Sequence, residues 1–168
     1  MPQFRNKRRV NHSAADMFDL VADVDKYPQF VPLCRSLRVR KRTEGEGGLV
    51  TLVADMTVAY KLIRETFVSR VTLDRPDMRI KVEYLDGPFS ILDNRWTFTP
   101  LTEHSCEVEF FIAYEFKSRV LGMLMGAMFE AAFRRFAGAF ERRADAVYGR
   151  SARPSERGTS GRQRKQQA

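Results

Sequence analysis

Residues 106–148 read CEVEFFIAYEFKSRVLGMLMGAMFEAAFRRFAGAFERRADAVY and contain two different periodicities. Apolar residues occupy every second position from Cys106 to Phe116, which is the pattern of a β-strand with one buried face. After Ser118 the apolar residues recur at steps of three and four, which indicates a helix with one apolar side. At 1.5 Å per residue this helix would be roughly 45 Å long, enough to cross a whole sheet.

The two-residue period extends upstream as far as Cys34. Turn segments at 43–48, 74–77, 86–89 and 102–105 interrupt it, and the stripe that ends at Val58 resumes at Ile63. Six strands joined by short turns are therefore predicted between Cys34 and Phe116. Residues 4–10 alternate weakly and predict a further, edge-like strand. Ser13 opens a Ser-x-x-Asp capping box that predicts a short helix. The two prolines of the next segment, 27–34, restrict it to a short helical turn and a bend.

These elements predict an α+β fold of the helix-grip type. One curved antiparallel sheet would wrap around the long C-terminal helix, with two short helices after the first strand. We expect residues 1–149 to form this ligand-binding domain. Residues 150–168 contribute +5 of the formal net charge of +8 and have no apolar residue beyond two alanines, so a disordered basic tail is predicted there.

The composition argues against several classes of protein. Residues 1–10 lack the apolar run of a secretory signal, and no stretch approaches the roughly 20 apolar residues of a membrane-spanning helix. Cys34 and Cys106 are isolated, and the two histidines are far apart, so no metal site is predicted. These features are typical of a cytoplasmic protein with reduced thiols.

No catalytic residue is predicted. The chain has no Gly-x-Ser-x-Gly elbow, phosphate-binding loop, His-Glu-x-x-His motif or dinucleotide fingerprint. His12 stands beside a helix cap and is expected at the surface, and His104 lies in a turn. We therefore expect a binding protein rather than an enzyme.

The apolar stripes predict an apolar tunnel between sheet and helix, long enough to exclude water from an extended ligand. Its predicted wall consists of Pro32, Met56, Val58, Phe67, Val82, Tyr84, Phe89, Trp96, Phe110, Ile112, Tyr114, Leu121, Leu124, Met125, Met128, Phe129 and Phe133.

One carboxylate breaks the alternation. Glu65 shares parity with Ile63 and Phe67, so it is predicted to point inward, where it could contact a polar headgroup or act as a general base. A β-bulge or a pair with a nearby arginine would explain the same position.

Ten residues without a charge, 120–129, begin the long helix, and both of its faces are apolar or small there. This segment is too short to span a bilayer, but it could enter the membrane interface, form a protein contact or be covered by a loop. Gly122 and Gly126 weaken the helix, which suits a segment that bends to admit a ligand.

Three spaced motifs carry a resemblance to a known family. They are DKYPQFVPLC at 25–34, DGPF at 86–89 and LxxxWxFxP at 92–100, and AFExRA at 139–144 closes the series. Over about residues 3–148 the chain resembles the coenzyme Q-binding branch of the START-like superfamily (SRPBCC, polyketide cyclase/dehydrase-like). Proteins of this type are also called ribosome association toxins. Leu33 stands where the family usually has an aromatic residue.

The resemblance implies a helix-grip fold with a tunnel for ubiquinone or a related polyprenyl lipid, and no required cofactor. It also implies a role in quinone biosynthesis and respiration, with peripheral association at the inner membrane. Two alternatives remain: a ribosome-binding protein that blocks subunit association, and a cyclase or hydrolase like those that related folds host.

Basic residues allow partners other than the lipid. The predicted second strand carries Arg35, Arg38, Arg40, Lys41 and Arg42, and the first carries Arg5, Lys7, Arg8 and Arg9. These two runs could build one patch which, with the tail, would contact an anionic membrane or ribosomal RNA, or they could simply be solvated.

Overall fold

The computed structural model describes residues 2–149, so the predicted tail at 150–168 lies outside the described residues. The elements in chain order are strand β1 (Gln3–Val10), helix α1 (Ala14–Ala22), a 3-10 helix (Val24–Gln29), β2 (Cys34–Glu44), a 3-10 turn (Glu46–Gly48), β3 (Leu49–Tyr60), β4 (Ile63–Asp74), β5 (Arg79–Asp86), β6 (Phe89–Thr102), β7 (Ser105–Phe116) and helix α2 (Arg119–Tyr148).

The strands form one antiparallel sheet in the order β1-β7-β6-β5-β4-β3-β2. Strands β2 to β7 are the predicted meander, and β1 joins its far edge by pairing with β7. α2 packs against β1, β7 and α1. The predicted α+β helix-grip fold is therefore confirmed.

Both α-helices follow a capping serine, of which Ser13 was predicted. The Ser13 hydroxyl accepts a hydrogen bond from the Asp16 amide at 3.0 Å, and the Ser118 hydroxyl accepts one from the Leu121 amide at 3.1 Å. Each bond satisfies one of the amides that a first helical turn leaves without a backbone partner.

Three connections lie at the same end of the sheet because the strands are antiparallel. We call this the distal end; it comprises the β3–β4 turn (60–63), the β5–β6 turn (86–89) and the β7–α2 link (116–119). The Lys117 amide donates to the Pro88 carbonyl at 2.8 Å and joins the last two. Val68 pairs with Asp86, the last residue of β5, so residues 63–67 and the hairpin tip project beyond β5.

The predicted surface position of His12 and the predicted shared basic patch were both wrong. His12 is 1% exposed rather than at the surface, and its Nε2 lies 2.7 Å from Asp145 Oδ1, because the last turns of α2 cover the β1–α1 junction. The basic runs of β1 and β2 lie on opposite edges of the sheet with five strands between them, so they are not neighbouring strands of one patch.

Candidate functional site

An apolar cavity of about 110 Å³ lies between α2 and the inner face of the sheet, the face turned toward α2. Every strand from β2 to β7 contributes at least one side chain, and β3, β4, β5 and β7 do so at alternate positions, while α2 contributes five side chains from its middle. The loop before β2 closes one side with Val31, Pro32 and Leu33. Leu33 holds a left-handed backbone (φ 68°), and its carbonyl accepts the Ala59 amide at 3.0 Å, which ties this loop to β3.

Most of the predicted wall residues do line this cavity. They are Pro32, Met56, Val58, Phe67, Val82, Phe89, Trp96, Phe110, Ile112, Phe129 and Phe133. Further lining residues were not among those predicted: Val24, Tyr27, Val31, Leu33, Leu37, Ala54, Ser69, Val71, Ile80, Leu92, Asn94, Ala132, Phe136 and Phe140.

The remaining predicted residues lie elsewhere. Tyr114 and Met125 are buried in the core beside the cavity, and Leu121 and Met128 are half-buried. The Tyr84 hydroxyl accepts the Phe89 amide at 3.1 Å and so supports the β5–β6 turn. Leu124 is 57% exposed and does not close the cavity, because it lies on the side of α2 that faces away from the sheet.

Aromatic rings hold the cavity wall in place. The Trp96 ring lies 4.8 Å from Phe110 and 4.9 Å from Phe140, centroid to centroid. Toward the distal end, Phe89 is 5.4 Å from Phe67 and 6.0 Å from Phe129. Interlocked edge-to-face and tilted rings of this kind pack densely and give a wall of defined shape.

Three polar side chains interrupt the apolar wall. The Tyr27 hydroxyl donates to the Val21 carbonyl at 2.5 Å, and burial raises the pKa of this phenol. Asn94 Nδ2 donates to the Phe111 carbonyl at 2.9 Å. Ser69 is 5% exposed and lines the cavity between Phe67 and Val71. Ser69 and Asn94 were not among the predicted site residues, although their parity with Phe67 and Trp96 indicates that both face inward.

Glu65 lies on the inner face of β4 opposite Val58, as its parity predicts. The β3–β4 register runs without a shift past this position, so a bulge does not explain it. Within residues 2–149, Glu65 forms no hydrogen bond or ion pair with an arginine, and it is not part of the cavity wall. It stands half-buried on the projecting part of the hairpin, between the cavity and the tip.

The cavity is small for an extended lipid. Pockets that enclose a whole ligand usually measure roughly 300–1,000 Å³, whereas this one has about 110 Å³. The predicted long tunnel is therefore not open here, because Phe129, Phe133 and Phe136 fill much of the space between helix and sheet. Its size is closer to that of a cavity for a single ring, since an apolar cavity of roughly 150 Å³ holds benzene in another protein.

The cavity offers little for acid–base or nucleophilic chemistry. Within the described part of the chain, its wall contains no carboxylate, imidazole, ammonium, guanidinium or thiol. Cys34 and Cys106 are buried outside the wall, and burial raises the pKa of each thiol to about 11. Both therefore stay protonated at neutral pH, and a protonated thiol is a poor nucleophile.

Neither helix of residues 2–149 has the length and apolar content needed to cross a membrane.

Known proteins are similar to this chain in sequence and in fold. Residues 10–141 match the family described as "Polyketide cyclase / dehydrase and lipid transport". The ribosome association toxin RatA of Vibrio cholerae is 36% identical over 149 residues, which are 89% of this chain and 99% of that protein. The mitochondrial coenzyme Q-binding protein COQ10 of Drosophila melanogaster is 34% identical over 119 residues, 68% of this chain and 47% of that protein.

The fold comparison agrees with the sequence comparison. A START superfamily protein from Mycobacterium smegmatis superposes with a TM-score of 0.71 over 86% of this chain and 98% of its own, and its 19% identity shows the fold alone. The helix-grip sheet, the apolar cavity under α2 and the match over residues 10–141 lead to one assignment. The chain belongs to the polyketide cyclase/dehydrase and lipid transport family, and its fold is START-like.

Proposed function

We propose that this protein binds an isoprenoid quinone, ubiquinone or a related polyprenyl lipid, and carries it rather than transforming it. The observation that supports this most directly is the cavity: a ring-sized apolar space walled by aromatic side chains, with no ionisable catalytic group on its described wall. The name of the COQ10 relative, a coenzyme Q-binding protein, agrees with this ligand class.

The quinone head ring suits the polar groups of the wall. A quinone carbonyl accepts hydrogen bonds, and the Ser69 hydroxyl and the second amide hydrogen of Asn94 can donate them. The isoprenoid tail would extend past Phe67, Phe89 and Phe129 toward the distal end, because the cavity has no room for it. Glu65 stands beside that route and could contact a polar group there.

Native mass spectrometry with organic extraction, on protein purified from its own host, tests the proposal. A quinone recovered in near-stoichiometric amount supports it. Protein that carries no lipid, and that binds none when a short-chain quinone is added, contradicts it.

Ser69→Ala is expected to weaken quinone binding about 2- to 13-fold, which corresponds to the loss of one hydrogen bond of roughly 0.5–1.5 kcal/mol. Trp96 is the single tryptophan of the chain and lines the cavity, so quenching of its fluorescence reports binding. Ser36→Ala, on an exposed position of β2, is the matched control and should bind like the wild type. Equal quinone affinities of wild type, Ser69→Ala and Ser36→Ala would show that Ser69 does not contact the ligand.

Ribosome association is the second candidate, favoured by the name of the RatA relative and by a groove on the outer face of the sheet. Arg5, Arg79, Lys81 and Arg95 line this groove of about 530 Å³ around Phe111. The Arg5 guanidinium lies 4.6 Å from the Phe111 ring, and cations beside an aromatic ring suit RNA. Glu109 and Asp93 pair with Arg5 and Arg95, however, and reduce the positive charge of the groove.

If the groove contacts ribosomal RNA, Arg79→Glu should reduce cosedimentation with large ribosomal subunits at least fivefold. Arg142→Glu, the same change on an exposed position of α2, should have no effect. Wild-type protein that does not cosediment at moderate salt would rule out this second function.

A further inference from the structure

The distal end carries most of the exposed large apolar side chains of the described chain. Leu62 is fully exposed, Met123 is 84% exposed and Val120 is 67% exposed. Tyr60, Leu85, Ile91 and Leu124 are also exposed and lie at or near the same end, whereas Leu49, Leu101 and Val147 are the exposed large apolar residues elsewhere in residues 2–149. This uneven distribution is characteristic of an interaction surface rather than of scattered surface residues.

Two projecting elements carry these side chains. The β3–β4 hairpin extends beyond β5, with Leu62 at its tip and the Lys61 ammonium 5.3 Å from the Tyr60 ring. The first turns of α2 begin directly after β7 and present Val120, Met123 and Leu124 to solvent. None of these exposed side chains belongs to the hydrophobic core, so packing of the core does not account for their apolar character.

Cations surround the apolar side chains. Lys61, Arg64, Lys117 and Arg119 are all exposed and form no ion pair within residues 2–149. The acidic residues in or beside the three distal connections are Glu65, Asp86 and Glu115. Of these, Glu65 is half-buried on the inner face. Apolar side chains that project beyond unpaired lysine and arginine side chains match the interface of an anionic bilayer: the former enter the acyl region and the latter remain with the phosphates.

We propose that the distal end docks on the surface of an anionic phospholipid bilayer. Leu62 and the first turns of α2 insert, and the four cations contact the lipid phosphates. The proposal deepens the proposed function and rests on it in one respect, since docking would place the cavity end marked by Phe67, Phe89 and Phe129 next to the lipid phase.

Cosedimentation of the full chain with vesicles of phosphatidylcholine and phosphatidylglycerol tests the docking surface. Leu62→Glu and Met123→Glu should each reduce binding at least tenfold, because a carboxylate would enter an apolar and negatively charged environment. Leu101→Glu is the matched control; Leu101 is 50% exposed at the opposite end of the sheet and should change binding less than twofold. Residues 150–168 are present in every variant, so the differences report on the distal end.

Three outcomes would overturn the proposal. Leu62→Glu and Met123→Glu could bind like the wild type, or Leu101→Glu could lose as much binding as they do. Alternatively, the wild-type protein could elute as a dimer, and Leu62→Glu could elute as a monomer that binds vesicles as well as the wild type does. That result would make a second copy of the chain the partner of this surface.

A measurement without vesicles separates this proposal from the proposed function. Quenching of Trp96 by a short-chain quinone should be the same in wild type, Leu62→Glu and Met123→Glu, because neither substituted residue lines the cavity. Lost vesicle binding with normal quenching supports the docking surface. Normal vesicle binding by the wild type with no quenching would contradict the quinone ligand and leave the docking surface supported.

Discussion

Replacing Ala132 by phenylalanine is expected to prevent ligand binding, with bound quinone falling at least tenfold. Ala132 is 2% exposed and lies on the cavity wall at the centre of α2. A phenyl ring there would occupy most of a space of about 110 Å³. Because the ring enters an existing cavity, the cost in stability should stay within the roughly 1–3 kcal/mol typical of overpacking.

Ala131→Phe is the matched control, since Ala131 is the exposed neighbour on the same helix and the change in helix propensity is identical. Extraction of quinone from both purified variants, with melting curves to establish folding, provides the comparison. Ala132→Phe protein that is folded and still carries wild-type amounts of quinone would show that the ligand binds elsewhere.

Gly87→Ala is expected to destabilise the fold by about 2–4 kcal/mol, from overpacking together with backbone strain. Gly87 has φ +140°, a conformation that residues with a Cβ rarely adopt. A Cβ at this position would lie 2.6 Å from Phe67 Cβ and 2.9 Å from Phe67 Cα. The β5–β6 turn can approach β4 so closely only with glycine, and the contact positions the Phe67 and Phe89 rings.

The same substitution at Gly126 should have the opposite effect. A Cβ there meets no atom within 4 Å, so Gly126→Ala should stabilise α2 by about 1 kcal/mol through helix propensity alone. Denaturant unfolding of the two variants beside wild type measures both changes. A Gly87→Ala protein as stable as wild type would contradict the close approach of the turn to β4.

The elements of the fold could be predicted because their signals are local. The alternation from Cys34 to Phe116 and the helical period after Ser118 each follow from which side of a short segment is buried. The same parity predicts much of the cavity wall, including Phe67, Trp96 and Phe110. It also applies to Ser69 and Asn94, whose polar side chains interrupt the apolar stripes and were therefore not predicted to face the cavity.

Other features depend on contacts between segments far apart in sequence. His12 is buried because the last turns of α2, more than a hundred residues later, return to cover it. The basic runs of β1 and β2 are separated by strand order, which the spacing of residues along the chain does not specify. Leu124 fits the three- and four-residue spacing of the buried residues of α2. It is nevertheless exposed, because a different side of the helix covers the sheet.

The sequence alone therefore determined the class of fold, the inward face of each strand and the apolar character of the site. The tertiary structure decided the size of the cavity and the asymmetry between the two ends of the sheet. The cavity volume is the small difference between the volume enclosed under α2 and the volume of the aromatic rings that fill it. It therefore depends on how the rings of β4, β6, β7 and α2 pack against one another. The exposure of Leu62 and Met123 likewise depends on which connections share an end, and only the pairing of the strands establishes this.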